Sequence, residues 1–178
     1  MASPANGDPR TIVSLRPLGS PMPLGLAGLA VATFLYAGFQ LGWVAQSERA
    51  VVGALLIAFP VPLQLTASVL IFRARDGAAA SAMGILAASW LSIGVGLILS
   101  APAPVTGALG LVLLAAGTAL VLTALSTGLT KLVPAAVIVL AGVRFMLGGV
   151  YELGAGEGWQ DASAGTGLAL AGLAFYTA

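Results

Sequence analysis

The chain has 178 residues, 59% of them hydrophobic and only 7% charged, with a formal net charge of +1. Soluble domains carry roughly 25% charged residues, so this composition excludes an ordinary soluble fold and belongs to membrane proteins. The seven basic residues are scattered between apolar runs, which excludes the clustered basic surface that nucleic acid requires.

Residues 1–19 are polar, rich in Pro and Gly, and carry Arg10 and Arg16. They read as a disordered cytoplasmic tail rather than a signal peptide, because the apolar run that follows is too long and lacks a clear cleavage site. Residues 20–178 then form one membrane domain of six predicted helices, since a spanning helix needs about 20 apolar residues. The spans are expected at Leu24–Val44, Val51–Phe72, Ala79–Leu99, Gly107–Leu125, Val133–Val150 and from Ala164 onward. Pro60 and Pro62 predict a kink near the middle of the second. The loop Tyr151–Ser163 holds Glu152, Glu157 and Asp161, and the last span is only 15 residues long at Ala178. That is short of a full crossing, so a tilted, partial or truncated last helix is expected.

Orientation follows from Lys and Arg. The tail, the second loop (Arg73, Arg75) and the fourth loop (Lys131) hold five on one side; the opposite loops hold only Arg49. Both termini are therefore expected to be cytoplasmic. Glycine is abundant, at 24 residues, and small residues let membrane helices approach closely. Gly38 and Gly42 have the spacing of such a contact face. Cysteine and histidine are both absent, which removes thiolate chemistry, the commonest metal ligand and the ordinary near-neutral proton switch. No nucleophile–base set, metal spacing, P-loop or dinucleotide fingerprint occurs, so neither catalysis nor a cofactor is expected.

Three stretches carry a resemblance. Ser20-Pro21-Met22-Pro23-Leu24-Gly25-Leu26 opens the first span, with Thr33 and Phe34 further along it. Gln64-Leu-Thr-Ala67-Ser68-Val-Leu-Ile71-Phe72-Arg73 closes the second. Gly165-Thr-Gly167 through Tyr176-Thr-Ala178 forms the last. In that order, over residues 20–178, they resemble the acetate uptake transporter family, the YaaH type that includes acetate/succinate–proton symporters. The family's first helix begins Asn-Pro-Ala-Pro-Leu-Gly-Leu, and its second reads Gln-x-x-Ala-Gly-x-x-Glu-Phe before a basic residue. Ser20 replaces the Asn here and Ile71 the acidic residue. Of the aromatic third-helix stretch that lines the family's hydrophobic constriction, only Trp90 is kept. The resemblance implies a plasma-membrane transporter of small monocarboxylates, with protons as a co-substrate and a hexameric ring as the assembly.

Arg144 is the sharpest residue on physical grounds. A charge within a span costs about 3 kcal/mol or more on insertion scales and usually faces a pathway or a partner. Three readings stand: contact with a substrate carboxylate, structural pairing, or snorkelling to the interface. Glu152, eight residues on, is too far along a straight helix to pair directly. Gln64 follows the double proline, where freed carbonyls favour a polar path, whereas Thr66 and Ser68 suit interhelical hydrogen bonds. The helix start at Ser20–Leu26 offers free amides to an anion, or simply a capping and kinking motif with Ser20 as N-cap. Phe34, Phe39, Trp43, Trp90 and Tyr176 divide between a constriction and an interfacial belt, Trp43 suiting the belt.

Transport of small monocarboxylates, proton-coupled or channel-like, is the leading expectation. Proton coupling would ride on the substrate's own proton rather than a protein relay. A channel for neutral solutes such as urea or amides, and a non-conducting structural or regulatory protein, are the alternatives. The candidate path residues are Pro21, Pro23, Leu24, Gly25, Leu26, Thr33, Phe34, Gln64, Trp90 and Arg144.

Overall fold

The structure, a computed structural model, describes residues 19–99, 106–126 and 132–178. The expected tail lies outside the described residues except for Gly19, as do Arg10, Arg16, Lys131 and the loop Ser100–Pro104. The described residues form seven α-helices: α1 (Met22–Gln40), α2 (Arg49–Ala58), α3 (Pro60–Arg73), α4 (Gly77–Leu99), α5 (Gly107–Ser126), α6 (Leu132–Glu152) and α7 (Glu157–Thr177). A 3-10 turn at Gln46–Glu48 leads into α2. Among the described residues, five segments are long and apolar enough to cross a membrane, and α2 with α3 counts as one of them. The chain is a multi-pass, all-helical membrane protein.

The break between α2 and α3 falls at Phe59, immediately before Pro60. Proline has no N–H and its ring crowds the preceding turn, so the helix bends where Pro60 begins a new one. The first helix stops earlier than its apolar run suggests. Gln40 ends it, and Gly42 takes φ +75°, which reverses the chain at little steric cost because glycine has no Cβ. Gly42 is therefore off the helix, with open space where a side chain would stand, while Gly38 accommodates the ring of Trp43. The pair is not a helix-crossing face.

The real close crossings lie elsewhere. A methyl at Gly53 would stand 2.6 Å from the Gly94 carbonyl oxygen, joining α2 to α4. Gly117 and Gly142, with Gly110 and Gly149, do the same between α5 and α6. Hydrophobic burial gives no drive for helix association in lipid, so such approaches supply the dispersion contacts that hold the bundle. Ser68 adds one hydrogen bond, its hydroxyl donating to the Ala80 carbonyl at 2.8 Å and tying α3 to α4. Thr66 faces outward.

The last helix also differs from expectation. It begins at Glu157, seven residues before the apolar stretch, and runs 21 residues. Only residues 153–156 connect it to α6, with Gly154 and Gly156 at φ +90° and +98° making the turn. The polar residues Glu157–Ser163 are thus about two helical turns, not a loop. The helices pack in the cyclic order α1, α3, α4, α5, α6, α7 and back to α1. They enclose a core in which Trp90, Arg144, Phe145, Met83 and Gln64 are among the largest fully buried side chains.

Candidate functional site

The C-terminal ends of α1, α4 and α6 meet the N-terminal ends of α2 and α7 at one end of the ring. A cavity of about 340 Å³ opens there, lined by Tyr36, Phe39, Gln40, Gln46, Arg49, Leu97, Tyr151, Glu152 and Gln160. Tyr36 and Gln40 are four residues apart and so share one face of α1, which forms the cavity floor. Gln160 of α7 donates through Nε2 to the Gln40 carbonyl at 3.0 Å, closing α7 over the end of α1. Glu152 is buried at the cavity wall, where its Oε2 accepts the Thr106 N–H at 2.7 Å. A carboxylate there meets the free amides and positive dipole end of α5.

Arg144 lies against that floor. It is 1% exposed, which rules out snorkelling. Its position eight residues before the end of α6 puts it about 12 Å below Glu152, at 1.5 Å rise per residue. Its Cζ stands 5.2 Å from the ring centroids of both Tyr36 and Trp90. One Nη donates to Gln40 Oε1 at 3.5 Å. Trp90 in turn packs edge-on against Tyr36 and Phe145, at centroid distances of 6.3 and 5.3 Å. Ser163 of α7 donates to the Arg144 carbonyl at 3.3 Å. Gly167, also on α7, supplies the space beside the guanidinium, because a methyl there would collide with Arg144 Nε.

Magnitudes show how this charge is tolerated. Two desolvated cation–π contacts contribute about 2 kcal/mol each, enough to offset the lower insertion cost of about 3 kcal/mol. They do nothing for the N–H groups, each of which costs about 1–3 kcal/mol when buried without an acceptor. Among the described residues no carboxylate pairs with Arg144, and its Nε has no hydrogen-bond partner. The structural-pairing reading with an acid is thereby removed. Gln40 Nε2, Trp90 Nε1 and both amide atoms of Gln64 are likewise buried without partners. Native interiors leave few such groups, and a concentration of them marks a place that water or a ligand completes.

Gln64 is fully buried on α3 beside Gly28 of α1, where a methyl would stand 3.5 Å from its Cγ. Gly28 precedes Tyr36 by eight residues, so this polar station lies about 12 Å farther into the ring. Thr33 is buried between the two levels, its hydroxyl donating to the Leu29 carbonyl at 2.9 Å. A second, smaller hollow of about 190 Å³ lies at the opposite end, lined by Gly19, Ser20, Pro21, Met22, Ile71, Ala74 and Asp76. Ser20 Oγ accepts the Met22 N–H at a long 3.4 Å. Asp76 also stands there, its Oδ1 accepting the Ala79 N–H, so the helix start already faces a carboxylate.

The residues singled out from the sequence therefore separate. Trp90, Arg144, Thr33 and Gln64 are inside the ring, as are Gly25 and Leu26, Gly25 giving room to the Met83 side chain. Pro23 and Leu24 lie on the outer face, and Pro21 is half-buried in the smaller hollow. Phe34 does not line the interior: it is 51% exposed and packs against Trp43 on the outer surface, at a centroid distance of 6.0 Å. The physical reason is helical period, since Phe34 is two residues from Tyr36 and so points almost oppositely. Tyr176 is exposed, while Phe39 is buried at the cavity wall. Sequence reasoning passed over Tyr36, Gln40, Gln160 and Gly167. The four-residue spacing of Tyr36 and Gln40 in an otherwise apolar span was the available signal.

No protein-family model matches this chain, and neither does any curated protein sequence. Among solved structures, the chain is similar to the structure of the bacterial acetate channel SatP, with a TM-score of 0.78 and 21% identity over 90% of each chain. The two share the fold.

Proposed function

We propose that the chain is a divergent member of the acetate uptake transporter family and carries small, acetate-like monocarboxylates across the membrane, along a path inside its own helix ring. One observation carries the reading. In a fold shared with an acetate channel, a cavity at one end of the ring ends on Tyr36 and Gln40, directly above a buried guanidinium. From there the path runs past Trp90 and Thr33 to Gln64 and leaves through the hollow at Ser20, Pro21 and Asp76. Buried polar groups without partners mark its stations, and apolar walls between them keep the route selective and largely dry.

In this reading α7 makes a sixth crossing, both termini are cytoplasmic, and the large cavity faces outward from the plasma membrane. The basic residues support that orientation, with Arg73 and Arg75 at the inner end and Arg49 at the outer, since the bias is one of Lys and Arg. A homo-oligomer, a hexamer by the resemblance, is the proposed assembly. Where a proton accompanies the anion, it is carried on the substrate's own carboxyl, in keeping with a chain that has no histidine.

Purified chain in proteoliposomes is expected to take up labelled acetate well above empty vesicles. An inward proton gradient reports whether protons travel with it. Uptake equal to empty vesicles would sink the reading, and uptake of urea or acetamide without acetate would replace it with a neutral-solute channel.

A further inference from the structure

We propose that Arg144, Gln40 and Trp90 form a buried binding site for one small monovalent anion, a carboxylate foremost, immediately beneath the floor of the outer cavity. This rests on the transport reading above and names the group that holds the cargo. Three buried N–H donors have no acceptor in this neighbourhood: Arg144 Nε, Gln40 Nε2 and Trp90 Nε1. Arg144 touches both other residues, through Gln40 Oε1 at 3.5 Å and the Trp90 ring at 5.2 Å. Gln40 Oε1 is the guanidinium's single side-chain acceptor among the described residues, and it is a distant one.

The donor excess selects the ligand. Water brings two donors with its two acceptors and leaves the positive charge uncompensated. A carboxylate or halide brings acceptors alone and one negative charge. The planar guanidinium suits a carboxylate, because two parallel N–H groups meet two oxygens. One guanidinium balances one charge, and the rings of Tyr36 and Trp90 against it, with Phe145 packed on Trp90, favour a short apolar tail over a second carboxylate. Gly167 is the positioning residue, since any side chain there would push into Arg144 Nε. Tyr36 and Gln40 line the cavity and also contact Arg144, so the cavity and the guanidinium share one wall.

The test uses the full chain in proteoliposomes, with labelled acetate, its neutral isostere acetamide, and chloride as competitor. Arg144→Met is expected to raise the half-saturating acetate concentration at least tenfold while acetamide flux stays within twofold. Arg144→Lys keeps the charge without the fork and should recover part of the loss. Gly167→Ala keeps the arginine and displaces it, so it should weaken acetate in the same direction, and it decides the matter if Arg144→Met does not fold. Competition by chloride makes the site a general anion site, and indifference to chloride makes it a carboxylate site; both support it. Unchanged acetate saturation in the folded variants overturns the site while leaving the transport reading intact, as does equal loss of acetate and acetamide. A wild-type chain that moves no acetate defeats both.

Discussion

Gly117→Val is expected to cost roughly 3 kcal/mol and to separate α5 from α6, read as a sharp drop in thermal or SDS-induced unfolding resistance in micelles. A methyl at Gly117 would sit 2.6 Å from the Gly142 carbonyl oxygen and 2.8 Å from Met146 Cγ. The first neighbour is backbone and cannot rotate away, so the helices themselves must move. Overpacking in a close-packed interior costs about 1–3 kcal/mol, and the upper end applies where rigid backbone is the obstacle. Pushing these helices apart also loosens the second approach, at Gly110 and Gly149. Gly165 is the control, because nothing lies within 4 Å of where its side chain would be. Gly165→Ala should be neutral or stabilising by up to about 1 kcal/mol, as alanine is the better helix former.

Trp90→Ala is expected to cost about 3 kcal/mol, the low end of the range for removing a large buried ring. Lipid already surrounds unfolded membrane helices with apolar groups, so the transfer contribution shrinks and the lost packing remains. Three contacts vanish together: the edge-on packing with Tyr36, that with Phe145, and the ring beside the Arg144 guanidinium. Trp90→Phe should cost far less, about 1 kcal/mol. It keeps a ring in place and deletes an indole N–H that has no acceptor. Equilibrium unfolding of the two variants side by side checks the order, and equal losses would mean that the ring contacts contribute little.

Much of the architecture was legible because it rests on local rules. Apolar run length placed the third, fourth and fifth spans within two residues of α4, α5 and α6. Pro60 located the break in the second, through the missing N–H and the ring clash that proline always brings. The errors fall where tertiary context outranks pattern. The spacing of Gly38 and Gly42 suggested a helix contact, yet Gly42 lies past the helix end and serves to turn the chain. Glu157–Ser163 read as a loop because they are polar; they are helical, and Gln160 lines the larger cavity. The resemblance implies an aromatic path residue at Phe34, although its position relative to Tyr36 sends it to the outside of the ring.

The site was half legible. Arg144 and Gln64 stand out in any apolar span, because a buried charge or amide is costly enough to require a reason. What the charge meets is a matter of long-range packing. Gln40 is 104 residues away in sequence, and Gly167 acts through the side chain it lacks. Neither signal exists in a single helix.

The absence of cysteine provides the most direct test of a path through the ring. Gln40→Cys places one thiol on the floor of the larger cavity, and Phe34→Cys places one on the outside of the helix ring, both in proteoliposomes transporting labelled acetate. Modification by a small charged thiosulfonate is expected to reduce acetate uptake at least fivefold in Gln40→Cys, with excess acetate slowing the labelling, and to leave Phe34→Cys transporting at its unmodified rate. Full labelling of Gln40→Cys with undiminished uptake would contradict a pathway that begins at this cavity.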